Sequence, residues 1–355
     1  MAGDSDPMIA EAAARIFADL ADPQTVNRAA NGVWRQPLWQ ALEQAGLPLA
    51  WVPENLGGSG AGLADGFAIL GVTGRYALAV PLAETLLAGW LLAQAGLKAP
   101  AGPMTLAPLR PGERIVLDAD GTLSGRAFGV SFAADSEHMA VLAEGSADTT
   151  VALVASKDCR LEEGRNLAGD ASNAVTFDHV MPLASAPAPQ GLDHTALLLM
   201  GACARAVETA GALEAVLSLS VAYANGRVAF ERPIGKFQAV QQNLARLAGE
   251  VAAALAVAGS AADTLARELT FDDGVFLEAS SAKIRCAEAA AEGAAIAHQV
   301  FGAIGFTQEH ILHRFTLRLL SWRDDFGNES WWAAELGRHI ASRGADEFWP
   351  LVASR

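Results

Sequence analysis

The sequence predicts a mostly helical protein with a small β domain at its centre. Three observations lead to this fold class: apolar residues at helical spacing before about residue 97, short β-branched runs between about 104 and 187, and long amphipathic segments from Gly191 onward. We therefore expect an N-terminal helical domain at 1–102, a middle β domain at 103–188 and a C-terminal helical bundle at 189–355.

Length and composition agree with several packed units. The 355 residues exceed the usual size of one domain, and 52% of them are hydrophobic while 18% are charged. This apolar excess predicts large buried contacts between subunits. The net charge of -15 repels phosphate backbones and anionic lipid, so nucleic acid and membrane surfaces are not expected partners. Because CoA is also anionic, a CoA site would need local positive charge.

The first region reads as helices interrupted by one glycine-rich turn. Ile9, Ala13 and Ile16 illustrate the helical spacing, and the turn occupies residues 53–60, with the sequence PENLGGSG. No window approaches 18 uninterrupted, strongly apolar residues, so we expect no membrane span. The acidic N-terminus does not resemble a signal peptide, and we expect the protein to stay in the cytoplasm.

The middle region predicts strands at 114–117, 139–142 and 149–154, because these runs are short and rich in β-branched residues. Asp120-Gly121 follows the first run as a hairpin turn would. The last region predicts helices at about 195–224, 234–268, 272–301, 308–322 and 329–343. Helices this long and this rich in Ala and Leu normally bury their apolar stripes in a bundle.

The most informative motif is the stretch 227–241, which reads RVAFERPIGKFQAVQ. An arginine at the end of one helix can pair bidentately with a pyrophosphate, Pro233 is suited to start the next helix, and a glutamine side chain offers amide hydrogen bonds. The spacing resembles the acyl-CoA dehydrogenase family signature, with Glu231 standing where the family has glycine. The resemblance implies FAD-binding roles for Arg227, Phe230, Phe237 and Gln238.

A second stretch, 299–309, reads QVFGAIGFTQE and is also similar to the family. There the glutamine and glycine lie against the FAD of a neighbouring subunit, which implies the same role for Gln299 and Gly302; Ala303 replaces the second family glycine. The turn at 53–60 resembles a third family motif. Together these resemblances imply the acyl-CoA dehydrogenase fold, with a β-barrel-like middle domain and a C-terminal four-helix bundle, assembled as a homodimer or homotetramer with FAD at subunit contacts.

The sequence departs from the family where the chemistry occurs. The family removes the α proton of an acyl-CoA thioester with a glutamate while hydride leaves the β carbon for the flavin. Counted without gaps from Gln299, the glutamate position falls on Phe326, which cannot accept a proton. The alternative base position in the first bundle helix falls on Thr195, and the arginine that helps hold CoA is replaced by Ala196.

The flavin-contacting segments of the middle domain also differ from the family. Residues 106–108 are Leu-Ala-Pro where the family has Thr-Glu-Pro, and 129–132 are Gly-Val-Ser-Phe where the family has Trp-Ile-Thr-Asn. Ser131 keeps the hydroxyl, and Phe128 is the nearest aromatic residue to the missing tryptophan. The resemblance assigns Ser131 and Asn328 to the flavin site.

Two interpretations remain open, and a third comes from a different class. The chain is either the non-catalytic subunit of a heterotetramer, resembling paired sterol side-chain dehydrogenases and completing an FAD site with a catalytic subunit, or an autonomous enzyme with a displaced base. Asp325 is the candidate base in the second case, with Glu329 next, although an arginine-paired loop carboxylate is the more common role for such a residue. The alternative class is a flavin-free scaffold or regulatory subunit.

Metal and disulfide chemistry have little support in the sequence. Cys159, Cys203 and Cys286 form no CxxC or Cys/His cluster, so we expect reduced packing residues. His310 and His313 are spaced for one helix face, yet no third ligand is near them in sequence, and we expect no metal. Trp322, Trp331 and Trp332 are expected in a core or an interface.

Overall fold

The computed structural model describes residues 5–29, 32–110, 112–145, 148–267 and 270–353. Contacts divide the chain into two compact units. The first unit takes its described residues from Met1–Ile16, Arg35–Ile69 and Ala79–Gly201, and the second from Phe17–Trp34, Leu70–Leu78 and Ala202–Arg355. The expected division into three domains at residues 102 and 188 stays a prediction.

Helices fill the first hundred residues, as the apolar spacing predicts. They are α1 (Pro7–Leu20), α2 (Pro23–Arg28), α3 (Arg35–Gln44), α4 (Leu63–Arg75) and α5 (Leu82–Gln94). The glycine-rich turn separates α3 from α4, and a side chain at Gly58 would collide with the carbonyl oxygen of Val52, 2.0 Å from its Cβ position. Backbone therefore packs on backbone there, which only glycine permits.

The middle region forms one eight-stranded sheet. Its strands are β1 (Met104–Leu106), β2 (Arg114–Leu117), β3 (Leu123–Ser131), β4 (His138–Glu144), β5 (Thr149–Ala155), β6 (Arg160–Glu162), β7 (Ser172–Val180) and β8 (Ala184–Pro187). The order is β6-β7-β3-β2-β4-β5-β8, with β1 paired to β4. A core including Ile115, Val141 and Phe177 fills the sheet's interior.

The predicted hairpin turn is confirmed between β2 and β3. Asp118 receives a hydrogen bond from Gly121, and Gly121 has a φ of +83°. The three predicted strands coincide with β2, β4 and β5 to within one or two residues. Short apolar runs mark β4 and β5 clearly because both faces of these strands are buried, whereas in β2 the buried residue is Ile115.

The C-terminal region is again helical. Its long helices are α6 (His194–Gly226), α7 (Gln238–Arg267), α8 (Asp273–Phe301), α9 (Leu312–Trp322), α10 (Glu329–Arg343) and α11 (Ala345–Ala353), and a short hairpin of β9 (Val228–Ala229) and β10 (Arg232–Pro233) follows α6. The predicted start of α9 at residue 308 was wrong by four residues. The imidazole Nδ1 of His310 accepts the amide hydrogen of Leu312 at 3.1 Å, so the segment before Leu312 is a turn. Residue 268, the predicted end of α7, lies outside the described residues.

Within the part of the chain that the structure describes, two helices are long and apolar enough to cross a membrane by length and composition. In α6, 89% of the most apolar 18-residue segment is buried inside the protein, as in the core helix of a globular protein. In α7, only 28% of the corresponding segment is buried. The expectation of no membrane span rested on a stricter criterion of uninterrupted apolar residues and stays a prediction. The exposure of α7 means that an apolar helix face is left open on the single chain.

Candidate functional site

Arg227 directly follows α6, at the end of that helix, as the sequence predicted. Its amide donates to the carbonyl oxygen of Tyr223 at 2.8 Å, and its own carbonyl accepts the amide of Ile234 at 2.8 Å. The backbone of Arg227 is thus fixed from both sides while the residue is exposed. An arginine held in this way can offer its guanidinium to a ligand at little cost in backbone entropy.

The β9–β10 hairpin places aromatic rings beside cations. Phe230 is 89% exposed at the hairpin tip, and its ring meets that of Phe237 edge-on at 6.1 Å between centroids. The guanidinium carbon of Arg232 lies 4.2 Å from the centroid of the Phe237 ring. This surface combines flat apolar rings with positive charge, as a planar base attached to phosphates would need.

Pro233 was predicted to start the next helix, and that prediction was wrong. Pro233 pairs with Val228 in the hairpin, a 3₁₀ turn at Ile234–Lys236 follows, and α7 begins at Gln238. Proline is tolerated at position 233 because the backbone pairing of the hairpin ends there. Gln238 consequently is exposed in the first turn of α7, where unpaired helical N–H groups favour an anion.

The second motif lies at the same end of the bundle as the first. The ring of Tyr223, one turn before Arg227, stacks on Phe301 at 4.3 Å, and the Tyr223 hydroxyl donates to the Phe301 carbonyl oxygen at 3.4 Å. Phe301 ends α8, between Gln299 and Gly302 in sequence. This aromatic contact joins the ends of α6 and α8. It therefore brings together the two motifs that resemble the family's FAD-binding motifs. Sequence reasoning missed Tyr223, since a tyrosine late in a helix carries no distinct signal.

A groove of about 550 Å³ opens beside the second motif. Gln299, Gly302, Ala303 and Phe306 are among its lining residues. Gly302 has a φ of +63°, and a Cβ built on it meets no atom within 4 Å, so the backbone faces open space. A ligand can therefore approach the main chain here.

His298 lines the same groove and is held in place by its neighbours. Its ring stacks on Phe306 at 4.3 Å, and its Nε2 lies 3.0 Å from the Thr316 hydroxyl. Burial, together with the charge of His313, lowers the pKa of His298 below its ordinary value. The imidazole is therefore neutral at physiological pH, which suits packing and hydrogen bonding.

The turn after α9 holds the position expected for the family's base. Phe326 is only 7% exposed and has a φ of +56°, followed by Gly327 at +90°. The Trp332 indole donates to the Phe326 carbonyl oxygen at 2.9 Å. Asn328 caps α10, because its Oδ1 accepts the Trp331 amide at 2.9 Å. A buried phenyl ring thus occupies the position at which the sequence predicts the family's base.

Both candidate carboxylates next to Phe326 are engaged by arginines. Asp325 Oδ2 accepts a hydrogen bond from Arg205 Nε at 2.9 Å, and Glu329 is bonded by Arg323. Burial raises the pKa of Glu329, but the hydrogen bond and charge of Arg323 outweigh burial and leave that pKa below its ordinary value. A carboxylate whose oxygen is already bound by an arginine is poorly placed to accept a substrate proton, so this geometry counts against either residue as an autonomous base.

The remaining predicted positions lie in the first unit. Ser131 ends β3, is half-buried, and its carbonyl oxygen accepts the Thr105 hydroxyl at 2.6 Å. Phe128 is partly exposed, and the guanidinium carbon of Arg126 lies 4.4 Å from its ring centroid. Ala196 is buried in the first turn of α6, while Thr195 is exposed. The assignment of these residues to a flavin or CoA site stays a prediction.

The histidine and cysteine residues considered in the sequence analysis lie in surroundings typical of structural residues rather than of metal ligands. His310 and His313 were predicted to share a helix; instead His310 precedes α9, and its carbonyl oxygen lies 2.7 Å from His313 Nδ1. Burial raises the pKa of Cys159 to about 11 and also raises those of Cys203 and Cys286. Among the residues that the structure describes, no group of three or more His, Cys, Asp or Glu residues is arranged to hold a metal.

Comparison with known proteins agrees with these motifs. The family model for the acyl-CoA dehydrogenase C-terminal domain matches residues 193–327. The chain is 32% identical over 319 residues to acyl-CoA dehydrogenase IpdE2 of Mycobacterium tuberculosis, which covers 88% of this chain and 89% of that protein.

Solved structures with the same fold cover nearly the whole chain. The ChsE4-ChsE5 complex of Mycobacterium tuberculosis matches with a TM-score of 0.85 and 23% identity, covering 96% of this chain and 98% of that one. A variant of the Tcur3481-Tcur3483 steroid ACAD matches with a TM-score of 0.83 and 26% identity, covering 95% and 97%. The predicted fold class, mostly helical with a central β domain, is confirmed.

Proposed function

Because the chain belongs to the acyl-CoA dehydrogenase family, we propose that it is the non-catalytic subunit of a heteromeric, FAD-dependent acyl-CoA dehydrogenase. In this assignment the chain completes a flavin site, and a catalytic partner provides the base for α,β-dehydrogenation of an acyl-CoA thioester. The observation that carries the proposal is the buried Phe326 ring at the base position, between two carboxylates that arginines already hold.

The residues at the end of the bundle fit FAD. We assign the pyrophosphate to Arg227 and the start of α7 at Gln238, the adenine ring to the aromatic hairpin surface, and the adjoining ribose to the groove beside Gln299 and Gly302. The open backbone at Gly302 and the exposed Arg227 support this assignment. Asn328 and Ser131 are further proposed contacts. FAD, when bound, supplies the acceptor for the hydride that leaves the β carbon.

This chain's own contribution is binding and orientation, since it has no free base at position 326. The α proton of the substrate then passes to a carboxylate of the partner subunit, so that one proton and one hydride leave the acyl chain as the double bond forms. An autonomous enzyme using Asp325 has less support, because Arg205 already binds that carboxylate.

The relatives support a paired assembly and a steroid-derived substrate. One similar structure is by its title a Tcur3481-Tcur3483 steroid ACAD, and another is the ChsE4-ChsE5 complex. The apolar window of α7, only 28% buried on the single chain, supports burial against another subunit. We propose that the assembly acts in the cytoplasm on an acyl-CoA carrying a steroid-derived acyl group.

Purification with and without a catalytic partner tests the proposal. We expect the chain alone to be colourless or weakly yellow, and the co-expressed complex to carry flavin and bleach when acyl-CoA is added. A yellow chain that bleaches alone with acyl-CoA would establish an autonomous enzyme instead. A complex without flavin at this chain's half-site would support the flavin-free scaffold.

A further inference from the structure

Four charged side chains meet beneath the turn that carries Phe326. Arg205 on α6 donates through one terminal nitrogen to Glu208 Oε2 at 2.5 Å and through Nε to Asp325 Oδ2 at 2.9 Å. The ammonium of Lys283 on α8 donates to the carbonyl oxygen of Trp322 at 2.5 Å. The Thr73 hydroxyl donates to Glu208 Oε1 at 2.9 Å. We refer to Arg205, Glu208, Lys283 and Asp325 as the buried charge network.

The network is deeply buried and balanced in charge. Arg205, Glu208 and Lys283 are each less than 5% exposed, and the Asp325 side chain is 18% exposed. Two cations face two carboxylates, so no net charge is buried. Removing ions from water is costly unless each is paired and hydrogen bonded, and breaking one partner leaves the other uncompensated. A stability role alone gives little reason for this arrangement, since apolar residues of similar size often stabilise as well.

The network fixes both ends of a strained turn. Lys283 holds the carbonyl oxygen of Trp322, and Arg205 holds Asp325, on either side of Arg323 and Asp324. The next residue, Phe326, has a φ of +56°, a backbone conformation that is unfavourable for a bulky side chain. Strain of this kind persists only where the surroundings over-determine it, and it concentrates at functional sites.

We propose that Arg205 and Lys283 are positioning residues, whose function is to hold the turn 322–327 so that the Phe326 ring stays buried and Asn328 keeps its place at the start of α10. This role deepens the proposed function, because position 326 is where a catalytic chain would carry its base. Arg205 and Lys283 would orient whichever side chain stands at position 326, whether or not that side chain can accept a proton.

Several ionisable groups face the Lys283 ammonium. They are Asp325 and Asp324 in the turn, Arg205 on α6, Cys286 on α8 and Glu329 on α10, while Glu208 is bonded to Arg205. Burial lowers the pKa of Lys283 to about 8, against the opposing charge of Asp325. The ammonium is therefore the prevailing form at neutral pH. The network balance of two cations against two carboxylates applies under physiological conditions.

Hydrogen exchange of the full chain tests the positioning role without flavin or partner. In Lys283→Met, whose side chain keeps a similar length but cannot donate, we expect the amides of 322–328 to lose protection by about 10- to 100-fold, the cost of unsatisfied buried groups. The amides in the middle of α6 and α8 should keep theirs. The control is Arg285→Met, two residues along α8, which removes a part-buried pairing with Glu250 and should leave the turn unchanged.

A uniform loss of protection throughout α6, α8 and the turn would show only general destabilisation and would overturn the positioning role. Unchanged protection at 322–328 would overturn it as well. Arg205→Lys provides a second variant, because lysine keeps the charge but cannot bridge Glu208 and Asp325 in two directions. Its expected loss of protection at the turn is smaller than that of Arg205→Met.

The pH profile separates a charge network from simple packing. In Lys283→Met, one arginine faces two buried carboxylates, so the variant buries a net negative charge. Protection of the turn in this variant should therefore be greater in acid, where a carboxylate can take up a proton, and should fall as pH rises, while protection in the wild type stays level. If protection of the turn in the variant is as independent of pH as in the wild type, the charge network is contradicted. Flavin content does not enter these measurements, so the proposed function can fail without affecting them.

Discussion

The hairpin after Arg227 holds two non-glycine residues, Phe230 and Glu231, with φ values of +52° and +66°. A two-residue loop with both φ values positive favours glycine or asparagine, and Glu231 stands where the family has glycine. We expect Glu231→Gly to stabilise the chain by roughly 0.5–1 kcal/mol, because it removes this strain. Thermal unfolding gives the measurement. Ala252→Gly, on the exposed face of α7, is the control and should destabilise by about 1 kcal/mol; equal effects of both would contradict the strain at Glu231.

Arg227 carries the proposed pyrophosphate contact. Replacing it with alanine removes a bidentate, charge-assisted pair, so flavin affinity of the complex should fall by about 10- to 100-fold while folding is retained. Flavin absorbance after dialysis and equilibrium titration measure this change. Arg246→Ala, an exposed arginine of α7 paired with Glu292, should retain flavin. Equal retention by both variants would remove Arg227 from the flavin site.

The lowered pKa of Lys283 makes stability depend on pH in a defined direction. Below pH 8 the lysine is charged in both the folded and the unfolded chain, and the folded chain carries the full cost of a buried ammonium. Between about 8 and the ordinary value of 10.5 only the unfolded chain keeps the proton, so the free energy of unfolding rises with pH. The difference between wild type and Lys283→Met in denaturant unfolding should therefore change in favour of the wild type by up to about 3 kcal/mol over this range. A constant difference would show that Lys283 titrates normally.

At the scale of elements, the turn between α9 and α10 requires glycine at position 327 for two separate reasons. Gly327 has a φ of +90°, and a Cβ there would lie 2.7 Å from the Trp331 ring and 2.8 Å from Trp332 Nε1. Gly344 has the same φ, but a Cβ would meet no atom within 4 Å. We expect Gly327→Ala to destabilise by about 2–4 kcal/mol through strain and collision, and Gly344→Ala by only about 1–2 kcal/mol through strain alone. Denaturant midpoints compare them, and equal losses would mean that the tryptophans move aside.

The sequence predicts elements well where a local pattern decides them. Strands β2, β4 and β5 follow from short apolar and β-branched runs, and the long bundle helices follow from helical spacing of apolar residues. The pattern failed at Pro233 and at the start of α9. A hairpin pairing decides the first, and the hydrogen bond that the Leu312 amide donates to the His310 imidazole decides the second. Such contacts carry no repeating signal along the chain.

Site prediction shows the same division. Arg227, Gln238, Gln299 and Gly302 were found because their spacing forms motifs, although their binding roles stay predictions. The buried charge network was missed, because Arg205 and Lys283 are far apart in sequence and neither belongs to a spaced motif. An arginine and a glutamate three residues apart among alanines in α6 were a signal that could have been noticed, since buried charges require partners.

At the scale of the whole molecule, the apolar composition predicts subunit contacts, and α7 is where such a contact has most support. Leu255 is 40% exposed on that helix, although the helix is apolar enough to resemble a membrane span. A large apolar patch left on a single chain normally marks an interface. Placing a carboxylate there would bury a charge without a partner when the subunits associate.

We therefore expect Leu255→Glu to weaken association of the complex by about 100-fold or more, while leaving the secondary structure of the chain intact, because the position is exposed on the single chain. Light scattering across a dilution series measures the assembly, and circular dichroism checks the fold. Leu167→Glu is the matched control: it is 61% exposed in the loop between β6 and β7 and receives the same carboxylate. If both variants assemble like the wild type, α7 does not form the contact between subunits. If both fall apart equally, added negative charge on a chain of net charge -15 is the cause, and the apolar face of α7 is not.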